Sequence, residues 1–275
     1  MIDLHTHSTA SDGAMTPSEL VVYARSRGLK CISLTDHDTT AGIPSAVAEA
    51  SWLGGIEVIP GIELSAASKG ETHILGYFID ISSAALISAL DEIRRVRVQR
   101  GYETAERLTA AGMPVTVEEA LDFSDGGLIA RAHFAKLLVK KGYSASVSDA
   151  FRDWLSPGKP GHSSAQAITA EQAVEIIRAA GGDAYVAHLY TMGLSDSELF
   201  EFIKHLKSAG LSGIECMYSE YTPEMERGYT ELAATLGLKR SGGTDFHGSN
   251  KPHIEIGIGC GSMAIKYSVL EYMRG

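Results

Sequence analysis

Short apolar runs alternate along the chain with segments of helical period, and capping chemistry marks where several helices start. Thr16-Pro17-Ser18-Glu19 combines a capping threonine, a proline suited to the first helical position and a glutamate able to reach back to the cap. Gly28 offers a left-handed stop, so a helix of about three turns is expected between them. The apolar run 30–35 then ends in Asp36-His37-Asp38, the pattern of a buried strand with a polar tip. A helix over 43–53, a strand over 56–64 and a strand over 71–78 come next. After residue 165 the alternation resumes with helices over 169–180, 197–209 and 223–236 and strands over 183–187, 213–216 and 239–241. With the first residues this makes about seven strands.

Repeated strand-then-helix order predicts a parallel sheet with right-handed crossovers, and seven such units suffice to close a barrel. Residues 83–165 interrupt the order with helical patterns only, at 84–111, 117–121, 130–141 and 147–155. The expected organisation is α/β: a barrel in two parts, 1–82 and 166–275, with an inserted helical subdomain over 83–165.

A composition of 44% hydrophobic and 21% charged residues is that of an ordinary folded chain. The formal charge of −10 argues against duplex DNA as a partner, because such binding relies on Lys and Arg neutralising phosphates. Small anions stay open, since bound metals add positive charge that side-chain counts omit. No run of 18 apolar residues and no basic leader with an apolar stretch occur, so no membrane association and a cytoplasmic location are expected. Cys31, Cys216 and Cys260 share no close spacing and are expected to be buried apolar filler.

Placing the polar residues against the strands changes the picture. The first strand ends in His5-Thr6-His7, the second in Asp36-His37-Asp38 and the third in Glu63; the fourth carries His73, the fifth ends in His188 and the seventh in Asp245-Phe246-His247. In a parallel barrel such ends meet on one rim. Imidazole and carboxylate together suit Zn, Fe or Mn. His5, His7, Glu63 and Asp245 can fill one site, His73 and His188 can share Glu63 at a second, and Asp12, His37 and His247 remain for a third ion. Two metals about 3.5–4 Å apart can hold a hydroxide nucleophile and clamp a phosphoryl group. His37, Asp245 and His247 would act in catalysis through metal ligation.

Plainer roles suit the neighbours. Asp36 and Asp38 can cap the next helix or orient a ring, and Glu215 can hydrogen-bond at the rim. His162, His205 and His253 read as solvated, and Arg94, Arg95, Arg97 and Arg100 as a solvated helix face with Glu92 and Glu103.

The segments His5-Thr6-His7, Ser11-Asp12-Gly13, Thr35-Asp36-His37-Asp38, Gly61-Ile62-Glu63, Ala187-His188 and Gly243-Thr244-Asp245-Phe246-His247-Gly248, with His73 between them, resemble the polymerase-and-histidinol-phosphatase (PHP) family. The resemblance implies a distorted (β/α)7 barrel and hydrolysis of phosphate esters with two or three divalent metal ions, Mn, Zn or Fe. Within that family the chain is similar to small phosphoesterases acting on nucleoside 3′,5′-bisphosphates or short RNA ends, and to a cyclic-phosphate hydrolase. Segments 129–134 and 156–161 carry that likeness, which implies that Arg131, His133 and Lys159 bind substrate phosphate. Asp12 stands where three-metal members often have His, and Leu189 where Pro is usual. A cyclic phosphodiester or histidinol phosphate as substrate, C–N bond hydrolysis, and a non-catalytic metal-binding regulatory module are the alternatives.

Overall fold

Seven strands, hydrogen-bonded to one another in chain order, form the frame of the computed structural model, which describes residues 1–67, 72–123, 129–163, 168–261 and 263–275. They are β1 (Ile2–Thr6), β2 (Cys31–Leu34), β3 (Glu57–Ala66), β4 (Thr72–Tyr77), β5 (Asp183–Val186), β6 (Gly213–Tyr218) and β7 (Lys239–Gly243). The segment after β7 returns to β1: the Asp245 N–H donates to the His5 carbonyl at 2.8 Å and the His7 N–H to the Phe246 carbonyl at 2.9 Å. The result is a nearly closed, distorted barrel.

Strand-then-helix order predicts an all-parallel sheet, and β4 corrects that expectation. β1 to β3 pair in parallel, as do β5 to β7, but β4 runs antiparallel to both β3 and β5. The reason is the connection. Parallel neighbours need a crossover of about a dozen residues or more, and β3 ends at Ala66 while β4 begins at Thr72. The reversal sets His73, near the start of β4, opposite Ser65 near the end of β3. A residue at the beginning of β4 therefore shares the rim with residues at the ends of its parallel neighbours. Glu71, the expected first residue of that strand, and the expected boundary at 165 lie outside the described residues.

Local chemistry sets the helices. Thr16 accepts from the Glu19 N–H while the Glu19 carboxylate accepts from the Thr16 N–H, closing the capping box ahead of the helix Pro17–Ser26. Thr169, Ser195 and Thr222 cap the helices Ala170–Ala179, Asp196–Ser208 and Pro223–Leu236 in the same manner, through the N–H groups of Gln172, Glu198 and Met225.

Two compact units result. One comprises Met1–Leu90 with Ile168–Gly275, the other Asp91–Ala167. In the first, Ile2, Leu4, Leu75, Tyr77, Tyr185 and Leu270 belong to one buried cluster. The second is helical, with Val117–Leu121, Arg131–Lys140 and Val147–Ala150 followed by a π turn over Phe151–Leu155, packed on Leu108, Phe134, Leu138 and Leu155. Cys31 and Cys216 are buried, but Cys260 is exposed, because it lies in a turn just after the Glu255–Gly259 bridge. Among the described residues no helix is long and apolar enough to cross a membrane.

Gly243 marks the seam of the barrel. A Cβ there would collide with the backbone and Cβ of His5, so only glycine lets β7 approach β1 this closely. Gly243→Ala is expected to lower unfolding free energy by about 1–3 kcal/mol, as overpacking does elsewhere, read as a lower denaturant midpoint. An unchanged midpoint would show that the seam has room.

Candidate metal centre

The centre is built around Glu63, a side chain of β3 with 0% exposure. Its two carboxylate oxygens face different partners. Oε1 lies 3.0 Å from His73 Nδ1 and 3.0 Å from His188 Nε2. Oε2 lies 3.3 Å from His5 Nε2, 3.2 Å from His7 Nε2 and 3.0 Å from His37 Nδ1. Period-two alternation carried one residue past β1 sends His5 and His7 to the same side, with ring centroids 5.2 Å apart.

Asp245 closes the Oε2 side: its Oδ1 is 3.2 Å from His7 Nε2 and 3.6 Å from His5 Nε2. Its φ of +57° lies in the left-handed region, which Asp tolerates better than most side chains. That turn lets its N–H reach the His5 carbonyl while its carboxylate points back at the same histidine. A third group comprises His7, Asp12, His37 and His247, with Asp12 Oδ1 3.2 Å from His247 Nε2. All nine sequence-derived ligand candidates, His5, His7, Asp12, His37, Glu63, His73, His188, Asp245 and His247, thus meet in one connected cluster.

Does the cluster suit metal ions? His5 Nε2, His7 Nε2, His37 Nδ1 and Glu63 Oε2 are buried and have no hydrogen-bond partner, although each faces a group of opposite character about 3.0–3.6 Å away. An unsatisfied buried polar atom costs about 1–3 kcal/mol. Four together approach the entire stability of an ordinary domain, about 5–15 kcal/mol. Lone pairs of imidazole and carboxylate converging on shared space fit divalent cations, which would satisfy all four atoms at once.

Charge within the cluster agrees. Burial alone would lower the His7 pKa, but contacts with Asp245 and Glu63 override it and raise it to about 9. Burial drives His37 the other way, to about 3 against the opposing pull of Glu63 and Asp12, so its ring is neutral near pH 7. Burial pushes the Glu63 and Asp245 carboxyls up, yet the surrounding imidazoles hold both well below the usual range.

An outer set of buried carboxylates orients the ligands. Glu215 Oε1 is 3.0 Å from His5 Nδ1, and its Oε2 accepts from the His188 N–H at 2.8 Å. Asp3 accepts from Thr244 and Gly257 and so fixes the segment leading into Asp245. Asp36 accepts from the Ser8 N–H and the Ser8 and Ser11 hydroxyls, which holds the loop carrying Asp12. Asp38 accepts from the Ser65 N–H beside Glu63. Glu215 meets an imidazole directly, as second partners do in metal sites to set tautomer and angle, while the three aspartates hold the segments beside the candidates.

Two residues escaped the sequence reading. Tyr218 donates to Asp245 Oδ2 at 2.9 Å, and Lys251 Nζ lies 2.6 Å from the same oxygen. No local pattern announces either, because Tyr218 extends β6 past its apolar run and Lys251 sits in an irregular segment after His247. The three substrate candidates belong to the second unit. Arg131 opens the helix Arg131–Lys140, His133 is buried with Nδ1 accepting from the Ala130 N–H, and Lys159 is exposed in a turn. In that unit burial and the charges of Arg131, Arg100 and Arg107 depress the His162 ring, so it is less solvated than its sequence suggests.

Two outcomes are expected. Glu215→Gln cannot accept from both His5 and His188, and should weaken metal binding about 10–100-fold in chelator competition; unchanged affinity would remove Glu215 from the ligand support. Metal capture must also displace the proton that His7 holds up to about pH 9. Apparent affinity therefore rises with pH towards about 9, with protons released on binding. Affinity flat between pH 6.5 and 8.5 would contradict this.

Comparison with known proteins gives one consistent result. The family model described as PHP domain matches residues 3–155. The chain is 38% identical over 257 residues to the 5′-3′ exoribonuclease Rnm of Salmonella typhimurium, covering 93% of this chain and 87% of that one. It is 35% identical to the 3′,5′-nucleoside bisphosphate phosphatase of Chromobacterium violaceum, covering 93% and 90%. A solved structure from Bifidobacterium adolescentis, described as a metal-dependent phosphoesterase, superposes with a TM-score of 0.84 at 29% identity over 99% of this chain and 95% of that one. The rim of histidines and carboxylates, the distorted barrel and these matches agree: the chain belongs to the PHP domain family.

Proposed function

We propose that the protein is a metal-dependent phosphoesterase that removes phosphate from small phosphorylated nucleotides, with nucleoside 3′,5′-bisphosphates or short RNA 5′ ends as the favoured substrates. One observation carries the reading: Glu63 divides its oxygens between His73 and His188 on one side and His5, His7 and His37 on the other. A carboxylate so placed suits bridging of two divalent ions, with Asp12, His37 and His247 available to a third. Metals bound there would supply an activated water near neutral pH and Lewis-acid stabilisation of the phosphoryl oxygens.

The chain's own groups set the geometry. His247 Nδ1 meets its neighbour's backbone, the Asp245 carbonyl, at 2.8 Å, which turns Nε2 towards Asp12. Tyr218 holds Asp245 Oδ2 and so aims Oδ1 at His5 and His7. His37 is the most exposed of the imidazoles around Glu63, with a fifth of its side chain open, and faces incoming substrate while acting through ligation. Arg131 and Lys159 are assigned to substrate phosphate, the first as a planar fork and the second as a point charge. The positive charge that Arg100, Arg107 and Arg131 bring to His162 supports an anion-binding role for their unit. His133, whose Nδ1 accepts from the Ala130 N–H at the start of its helix, is assigned to the same phosphate.

A 5′-3′ exoribonuclease at 38% identity and a bisphosphate phosphatase at 35%, against a phosphoribosyl cyclic phosphate diphosphodiesterase at 32%, favour a nucleotide over a sugar phosphate or histidinol phosphate. Protein loaded with Mn, Zn or Fe should release inorganic phosphate from 3′,5′-bisphosphates faster than from cyclic phosphates or histidinol phosphate. His7→Ala should reduce that release at least about a hundredfold, matching loss of several kcal/mol of transition-state stabilisation. No release by any metal form, or full activity in His7→Ala, would refute the reading.

A further inference from the structure

Lys251 follows the short turn Gly248–Asn250 that directly succeeds His247. Its Nζ pairs with Asp245 Oδ2 at 2.6 Å, and 36% of its side chain remains exposed. The carboxylate does not need this cation for orientation: Tyr218 already donates to Oδ2, and Oδ1 faces His5, His7 and His247. An ammonium has three donors, of which Asp245 Oδ2 takes one. The carboxylates of Glu63 and Asp12 also act on this charge.

Charge counting then indicates what else the lysine meets. Asp12, Glu63 and Asp245 contribute three negative charges, whereas two or three divalent ions contribute four to six positive ones. Counted by these three ligand candidates alone, the loaded centre is positive, with Glu215 set behind His5 and His188. An anion entering this space would be met by the ions and by the ammonium together.

We infer that Lys251 is a substrate-binding residue that donates to an oxygen of the phosphoryl group held at the metal centre, while keeping its contact with Asp245. This rests on the phosphoesterase reading and adds to it a specificity for dianionic groups carried by the barrel itself. Arginine at this position keeps the charge; glutamine keeps a donor for Asp245 without it.

The test uses the full metal-loaded chain, with wild type, Lys251→Gln, Lys251→Met and Lys251→Arg compared for metal equivalents, inorganic phosphate affinity and phosphate-release kinetics. Metal content should be equal in all four. Inorganic phosphate should bind at least about tenfold more weakly to the Gln and Met variants, with kcat/KM falling by a similar factor, and Arg should restore part of the loss. The Gln variant guards against a folding defect in Met. Unchanged phosphate affinity in both neutral variants, or no phosphate binding by wild type, overturns the inference. Metal loss that accounts for the phosphate loss also overturns it, because the lysine would then act only through Asp245. A wild type that binds phosphate through Lys251 yet hydrolyses no ester would instead refute the phosphoesterase reading alone.

Discussion

A single buried carboxylate surrounded by five imidazoles organises this molecule. Glu63 is fully buried, and the groups that face its two oxygens directly are the rings of His5, His7, His37, His73 and His188. A neutral imidazole offers a carboxylate one N–H and no charge, and five protonated rings in one buried space would repel one another strongly. Divalent ions resolve the conflict, since neutral rings and ionised carboxylates then point at the same charge. On this view the metal is a condition of the folded centre as well as of the chemistry.

The fold exists to bring those rings to Glu63. β1 and the segment after β7 interlock through the His5 and Phe246 carbonyls, which sets His5, His7 and Asp245 on one side. The reversed β4 and the end of β5 bring His73 and His188 to the other. Behind them, Asp3, Asp36 and Glu215 spend their buried charge on hydrogen bonds that hold ligand-bearing segments, a costly arrangement in a low-dielectric interior. Such cost is the mark of a site whose angles matter more than its stability.

Much of this was legible in the residues. The residues that the fold gathers around Glu63 could be read because β-strand tips are where buried polar residues have little reason to appear unless they face a site, and because capping motifs at Thr16 and Thr169 located the elements between them. The direction of β4 was not legible, since apolar patterning fixes which residues face the core but not which way a strand runs. Only the shortness of the link between Ala66 and Thr72 settles that. Tyr218 and Lys251 were invisible for another reason: their roles depend on three-dimensional proximity to Asp245, and neither lies in a recurring pattern. Glu215 could be placed at the rim but not paired with His5, 210 residues away in the chain.

The central claim is that Glu63 is shared between two metal positions. Counting bound divalent ions per chain in native mass spectrometry tests it directly, with wild type, Glu63→Gln and His73→Ala compared at equal free metal. The account predicts at least two ions in wild type, one fewer in His73→Ala, and the loss of two in Glu63→Gln. A wild type holding a single ion, or a Glu63→Gln protein that loses no more than His73→Ala does, would contradict it.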